Sequence, residues 1–259
     1  MAEALVCTVC DDRFLPGAEV LLYSLLRHVG DVDRFDFTVF YDDAVAPLSE
    51  ASRRRLRRIV PRVRFVAAAQ QRYATVAVGF PKHRPALLKL EMFRQPSTYR
   101  KILHLDADML CLRRFDELLE GRGTIALADC RNQSHGRFNT GLIVLDGAAA
   151  GETQYRQVVS MIHDTESYML DQPIINRLVT ENGWRVDLLS RSYNFTLVEG
   201  HPDVPNERAL EEGLSDVRFL HWAGHADKRH KPWERPLPGV LSWELWDTAR
   251  RELHAEFPP

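Results

Sequence analysis

The chain has 259 residues, 45% of them hydrophobic, and a formal net charge of −2. This is the composition of a folded domain: too apolar for a disordered chain, too nearly neutral for a nucleic-acid binder, and without an apolar run near the roughly 18 residues of a membrane span. The opening Met1-Ala2-Glu3-Ala4-Leu5 lacks the basic segment of a signal peptide, so the expected location is cytoplasmic, with no stable membrane insertion.

Leu5 to Val9 is the first predicted strand, ending at Asp11-Asp12. Cys7 and Cys10 have the spacing of a redox or zinc pair, but no second pair matches them, and they read as buried small hydrophobes. From Pro16 to Val29 the apolar residues Val20, Leu21, Leu25 and Val29 recur at helical spacing. Phe35 to Tyr41 is the second strand and again ends in acids, Asp42-Asp43; a helix opens at Pro47 and runs to about Val60, and Val63 to Val66 gives a third strand. Strand and helix alternate, which predicts an α/β fold with a mostly parallel, Rossmann-like central sheet, helices on both faces and ligands at the strand ends. The arginine-rich run from Arg53 to Arg64 reads as the solvated face of the second helix, with Leu56, Ile59 and Val60 turned inward.

Gln70 to Pro85 is irregular and polar and suits a mobile loop over the site. Pro85 opens a helix with Leu87, Leu88, Leu90 and Met92 on its apolar side and Lys89 off it. Lys89 stands out because 29 of the 34 basic residues are arginine.

Lys101-Ile102-Leu103-His104-Leu105-Asp106-Ala107-Asp108 is the stretch richest in chemistry. An apolar strand stops at two carboxylates one residue apart, in the crevice where open α/β sheets bind ligands. Hard oxygen ligands so close together suit Mg²⁺ or Mn²⁺, and such an ion suits a diphosphate. A short helix near Phe115 to Leu119 and a strand at Thr124 to Ala128 follow, then a buried strand, Phe138 to Leu145, entered through Asn139. Asp171-Gln172-Pro173 begins the next helix, with Gln172 as its cap and Pro173 as its first residue, leaving Asp171 and Gln172 in the open. The last predicted strand, Val217 to Leu220, leads into His221-Trp222-Ala223-Gly224 and Lys231-Pro232-Trp233. Leu241 to Phe257 is amphipathic and expected to dock on the domain. No repeat, low-complexity segment or linker interrupts the chain, so one domain over 1–259 is expected.

Together these motifs resemble retaining glycosyltransferase family 8, the group of glycogenin, bacterial lipooligosaccharide α-galactosyltransferases and galactinol synthases. The resemblance runs from Leu5 to Trp233 and rests on order and spacing: Lys89 ahead of the apolar strand, Asp106-Ala107-Asp108, Phe138-Asn139-Thr140-Gly141, Asp171-Gln172 with Asn176, and His221 to Gly224 before Lys231-Pro232-Trp233. It implies a single GT-A type domain with a metal site at the strand ends. A nucleotide-binding half would cover about 1–110, a sugar and acceptor half about 111–235, and a C-terminal helix about 239–257. Asp106, Asp108 and His221 would hold Mn²⁺, with Mg²⁺ as the alternative, against the diphosphate of a UDP-sugar. Cys7, Thr8, Asp11 and Phe14 would hold uridine, although an asparagine and a tyrosine are common in the family where Asp11 and Phe14 stand. Lys89, Ala107, Asn139 and Gly224 would line the donor. Lys231 would contact the pyrophosphate; six residues, His225 to His230, enlarge the usual gap after the glycine, and Lys228 is the alternative.

By the same resemblance Asp171 would orient the sugar, and Gln172 would steady positive charge at the anomeric carbon. An amide is a poor nucleophile, which favours attack by the acceptor hydroxyl on the face the leaving group departs from, with Asp171 as a transient nucleophile the alternative. The expected activity is transfer of a glucose or galactose residue from UDP-sugar to a saccharide or other small-molecule or glycan acceptor; an oligomer is compatible with it. Two other readings compete: a nucleotide-sugar binding protein without transfer, and a phosphatase of the haloacid dehalogenase type.

Overall fold

In the computed structural model the described residues are 2–68, 73–74, 76, 78, 81–130, 137–164, 171–197, 207–223 and 231–258. The first strand, β1 (Ala4–Val9), is buried almost throughout, as an apolar run requires of a strand covered on both faces. Its alternate side chains feed two cores: Ala4 and Val6 face one, Leu5 and Cys7 the other. Helix α1 (Leu15–His28) has Pro16 in its first turn and packs Val20, Leu21 and Leu25 into the first core.

β2 (Phe35–Tyr41) lies parallel beside β1, and β3 (Arg64–Ala67) parallel beside β2. Between them α2 (Glu50–Ile59) starts at Ser49, whose hydroxyl accepts the Ser52 N–H at 3.2 Å, and buries Leu56 and Ile59. Several of its arginines are tied down: Arg53 lies 4.1 Å over the Tyr41 ring, Arg57 4.9 Å over Phe65, and Arg55 pairs with Glu19.

The helix foreseen from Pro85 is instead a 3₁₀ helix, Pro81–Arg94, and Leu87 to Phe93 are buried. With three residues per turn and no solvent-facing side in this stretch, Lys89, expected off the apolar face, is only 3% exposed. Of the loop foreseen from Gln70 to Pro85, Pro81 to Pro85 belong instead to this 3₁₀ helix, and residues 70–72, 75, 77, 79 and 80 lie outside the described residues.

β4 (Lys101–Leu105) runs parallel to the other side of β1. The large sheet is completed by β6 (Ile125–Asp129), β7 (Phe138–Asp146) and β8 (Val186–Leu189), giving the order β3-β2-β1-β4-β7-β6-β8. Among the described residues only β7 runs against its neighbours in this sheet, so the sheet is mostly parallel. The connections reverse direction between β1 and β4, which makes the carboxyl ends of these two strands the switch point where ligands bind.

A smaller sheet, not foreseen, joins β5 (Met109–Cys111), β10 (Phe219–His221) and β9 (Phe195–Thr196) in the order β5-β10-β9. Helices α3 (Glu152–Asp164) and α4 (Asp171–Glu181) cover the second core, α5 (Glu207–Gly213) packs on α6, and α6 (Leu241–Glu256) packs on α1 through the buried Trp246 and Leu253. Among the described residues no helix is long and apolar enough to cross a membrane.

Candidate active site

The chain leaves β4 through Asp106-Ala107-Asp108 and enters β5 at once. The Asp106 N–H still bonds Gly141 O at 2.9 Å, extending the β4–β7 ladder, while Met109 N–H returns to Asp106 O at 3.2 Å. The two carboxylates thus stand on the bend where the backbone passes from the large sheet to the small one. Antiparallel pairing of β5 with β10 sets His221 opposite Met109, and Trp222 N–H bonds Asp108 O at 3.0 Å. Two strands far apart in sequence therefore deliver His221 to the aspartates: Nε2 lies 3.3 Å from Asp108 Oδ1 and 3.7 Å from Asp106 Oδ2.

Asp106, Asp108 and His221 each offer a ligand atom, all within 4.8 Å of one another. An octahedral ion with bonds of about 2.1 Å needs neighbouring donors about 3 Å apart and opposite ones about 4.2 Å apart, so these residues fit a divalent cation with little movement. Two carboxylates and one imidazole suit Mn²⁺ well, with Mg²⁺ as the harder alternative.

The charges are arranged around this corner. Lys231, 6% exposed, donates from Nζ to Asp108 Oδ2 at 2.5 Å and to Trp222 O at 2.6 Å. Burial pushes the Asp108 carboxyl up, but Lys231 and then His221 overcome it and hold Asp108 well below the usual carboxylate range. Asp106 goes the other way: burial raises it, Lys89 opposes, and neighbouring Asp108 adds to the rise. Lys89 Nζ donates to Asp106 Oδ1 at 2.9 Å, Asp171 Oδ2 at 2.8 Å and Thr140 O at 3.0 Å, which uses all three of its protons. Thr140 Oγ1 also donates to Asp171 Oδ2, at 2.6 Å. One buried ammonium therefore links the first aspartate of the pair to the start of α4.

Asp171 and Gln172 lie inside the first turn of α4 and are 7% and 6% exposed, not open as expected. Asn176 explains this: its side chain bonds both Phe138 N–H and O and also Gln172 O, clamping α4 against the start of β7. Gln172 Nε2 reaches Cys130 Sγ at 3.5 Å. At the end of β1, Cys7 points into the core and its thiol donates to Leu103 O, while Thr8 lies on the opposite face. Asp11 Oδ1 caps the turn into α1, accepting from Arg13 N–H and Phe14 N–H, and Phe14 packs edge-on to Trp233 at 5.4 Å. Gly17 lets these parts meet: a Cβ there would stand 2.5 Å from both Ala107 O and the Trp233 ring. Asn139 Oδ1 is bonded by Gly141 N–H and by Asn194, a residue no sequence pattern singled out. Gly224 and Lys228 lie outside the described residues.

The family model described as Glycosyl transferase family 8 matches residues 5–236. Among curated proteins, a glycogenin from Cryptococcus neoformans var. grubii is 25% identical over 260 residues, covering 92% of this chain and 27% of that protein, so the chain spans about a quarter of its relative. Among solved structures, the bifunctional glycosyltransferase WbbM has a TM-score of 0.73 at 16% identity, over 98% of this chain and 52% of that one. The galactosyltransferase LgtC, in complex with donor and acceptor sugar analogues, has a TM-score of 0.69 at 18% identity, over 98% of this chain and 96% of that one. At such identities the structural likeness is one of fold, the GT-A fold.

Proposed function

We propose, from the premise that the chain belongs to glycosyl transferase family 8, that it is a metal-dependent, retaining hexosyltransferase. It moves glucose or galactose from a UDP-sugar to a hydroxyl of a saccharide or other small-molecule or glycan acceptor, forming an α-glycosidic bond. The observation that carries this reading is the meeting of Asp106, Asp108, His221 and Lys231 at the switch point of the sheet. Membership of the family sets aside the phosphatase.

Mn²⁺ bound by Asp106, Asp108 and His221 would supply Lewis acidity to the departing nucleoside diphosphate. Lys231 adds a fixed positive charge beside Asp108, where phosphate oxygens arrive. Uridine rests at the end of β1, in the half formed by about residues 1–110. There Phe14 offers a ring, Thr8 a hydroxyl without a hydrogen-bond partner in the described structure, and Asp11 its backbone, while Cys7, paired on both sides within the sheet, stays in the core beneath them. Sugar and acceptor meet residues of the half from about 111 to 235. Asp171, held by Lys89 and Thr140, orients the sugar hydroxyls, and the Gln172 carbonyl faces positive charge growing at the anomeric carbon. As the bond from that carbon to the diphosphate breaks, the acceptor oxygen bonds to it on the same face and its proton passes to the departing phosphate oxygen. Engagement of Asp171 Oδ2 by two donors favours this route over a covalent intermediate on Asp171.

A panel of UDP- and GDP-sugars with and without Mn²⁺, following release of nucleoside diphosphate by the protein and by Asp108→Asn, tests the reading. Mn²⁺-dependent release from one UDP-sugar that Asp108→Asn abolishes is expected. Tight donor binding with no release in the presence of any acceptor offered would favour a binding protein instead.

A further inference from the structure

We propose that Asn194 is a positioning residue of the metal centre: with Asn139 it passes the polarity of the Gly141 backbone N–H to His221, fixing the imidazole as the Nδ1–H tautomer with the Nε2 lone pair turned to Asp106 and Asp108. The inference rests on His221 being a metal ligand and adds to that reading a residue outside the sequence pattern.

The argument begins at a group that cannot change sign. A backbone N–H only donates, so Gly141 N–H, 2.8 Å from the Asn139 side chain, fixes the facing atom as the oxygen, Oδ1. That oxygen also lies 2.6 Å from the Asn194 amide, whose facing atom must then be the donor Nδ2. Turning either amide over would set two donors or two acceptors against each other at contact distance. Asn194 Oδ1 is therefore at the far end, 2.7 Å from His221 Nδ1. An amide oxygen only accepts, so Nδ1 carries a proton in either charge state of the ring, and in the neutral ring, the form that binds a metal, Nε2 is the nitrogen left with its lone pair. A lone pair that faces two carboxylate oxygens at 3.3 and 3.7 Å is complementary to a cation between them.

Burial makes the relay binding on the ring. Asn194 is 6% exposed and His221 3%, so water does not replace a lost partner cheaply. Asn194 is held by its own backbone, N–H to Arg191 O at 3.0 Å, at the end of the 3₁₀ turn Arg191–Tyr193 and just before β9. β9 pairs with β10, so the small sheet carries both the imidazole and the residue that orients it.

Two readouts independent of turnover test this. In the metal-free protein at alkaline pH, the ¹⁵N imidazole spectrum of His221, assigned by difference against His221→Ala, is expected to show the Nδ1–H form. Mn²⁺ titration without donor, followed by paramagnetic resonance of the free ion, is expected to weaken about 10- to 100-fold in Asn194→Ala. An Nε2–H spectrum of His221 in the parent protein overturns the proposal whatever the Asn194 variant does. Parent-like Mn²⁺ affinity in Asn194→Ala overturns the relay alone, whereas a parent protein that binds no Mn²⁺ overturns the metal reading beneath it.

Discussion

Gly141 and His221 share a space that admits no side chain between them: a Cβ on Gly141 would overlap His221 Cε1 and stand 2.6 Å from its Nδ1. The imidazole lies directly on the β7 backbone, which fixes its height as Asn194 fixes its rotation. Gly141→Ala is therefore expected to push the ring off its place. A loss of about 1–3 kcal/mol in stability by denaturant titration should accompany a fall of at least about tenfold in Mn²⁺-dependent UDP-sugar cleavage. A variant that keeps both stability and cleavage would show that the ring position is not critical.

Lys89 is the next candidate. Burial alone favours its neutral amine, yet Asp106 and Asp171 more than offset this and hold its pKa above the usual lysine value. Lys89→Met keeps the length of the side chain but leaves the buried Asp171 and the partly exposed Asp106 without their shared cation, a change expected to cost about 3 kcal/mol, the low end for a buried pair. Lys89→Arg should not restore stability, because a planar guanidinium cannot reach three acceptors converging on one nitrogen. Urea midpoints of the three proteins measure this. Parent-like stability in Lys89→Met with activity lost would move Lys89 from internal strut to substrate contact.

Much of this architecture was legible because each signal was local. The Phe35–Tyr41 strand, α1 and the bend at Asp106-Ala107-Asp108 all follow from apolar period and the abrupt entry of charge. The small sheet was not legible, since β5 and β9 have three and two residues and exist only by pairing with β10. β8 was hidden for a related reason: it is an edge strand with Leu188 56% exposed, so it lacks the apolar run of a central strand. Lys89 and Asn194 show the limit most clearly. A lysine near an apolar helix reads as solvated until three acceptors from other segments are seen around it, and an asparagine before a short strand reads as a turn residue.

Glu91 forms a second buried polar cluster, away from Asp106. It is 0% exposed, and its Oε1 accepts from Tyr73 Oη at 2.7 Å and from Tyr155 Oη. The 3₁₀ helix is thereby tied both to the segment at Tyr73 and to α3. Burial, reinforced by Glu91, raises the Tyr73 phenol far above its ordinary value, so it remains a donor at any working pH. Tyr73→Phe and Tyr155→Phe are each expected to cost about 1–3 kcal/mol. Because both act on one oxygen, the double variant should differ from the sum of the singles. Strict additivity in a double-mutant cycle would mean that the two hydroxyls do not act through Glu91.

Glu19 gives a prediction in pH. It sits on α1 beneath α2 and α6, 5% exposed, with Oε2 2.7 Å from Arg55. Burial raises its pKa, and the pull of Arg55 and Arg58 does not cancel the rise. The folded state therefore holds the proton more tightly than the unfolded chain, whose glutamate titrates near about 4.3. As pH climbs from there through the raised folded value, the parent protein loses stability, by at most about 1.4 kcal/mol per pH unit for one group, and above that value the loss is constant. Glu19→Gln has no proton to release and escapes this loss. Its unfolding midpoint relative to the parent should rise between about pH 4 and the folded pKa and level off towards neutrality. Thermal unfolding of both proteins across that range checks the sign: parallel curves would mean that Glu19 titrates alike in both states, and a falling difference that Arg55 outweighs burial.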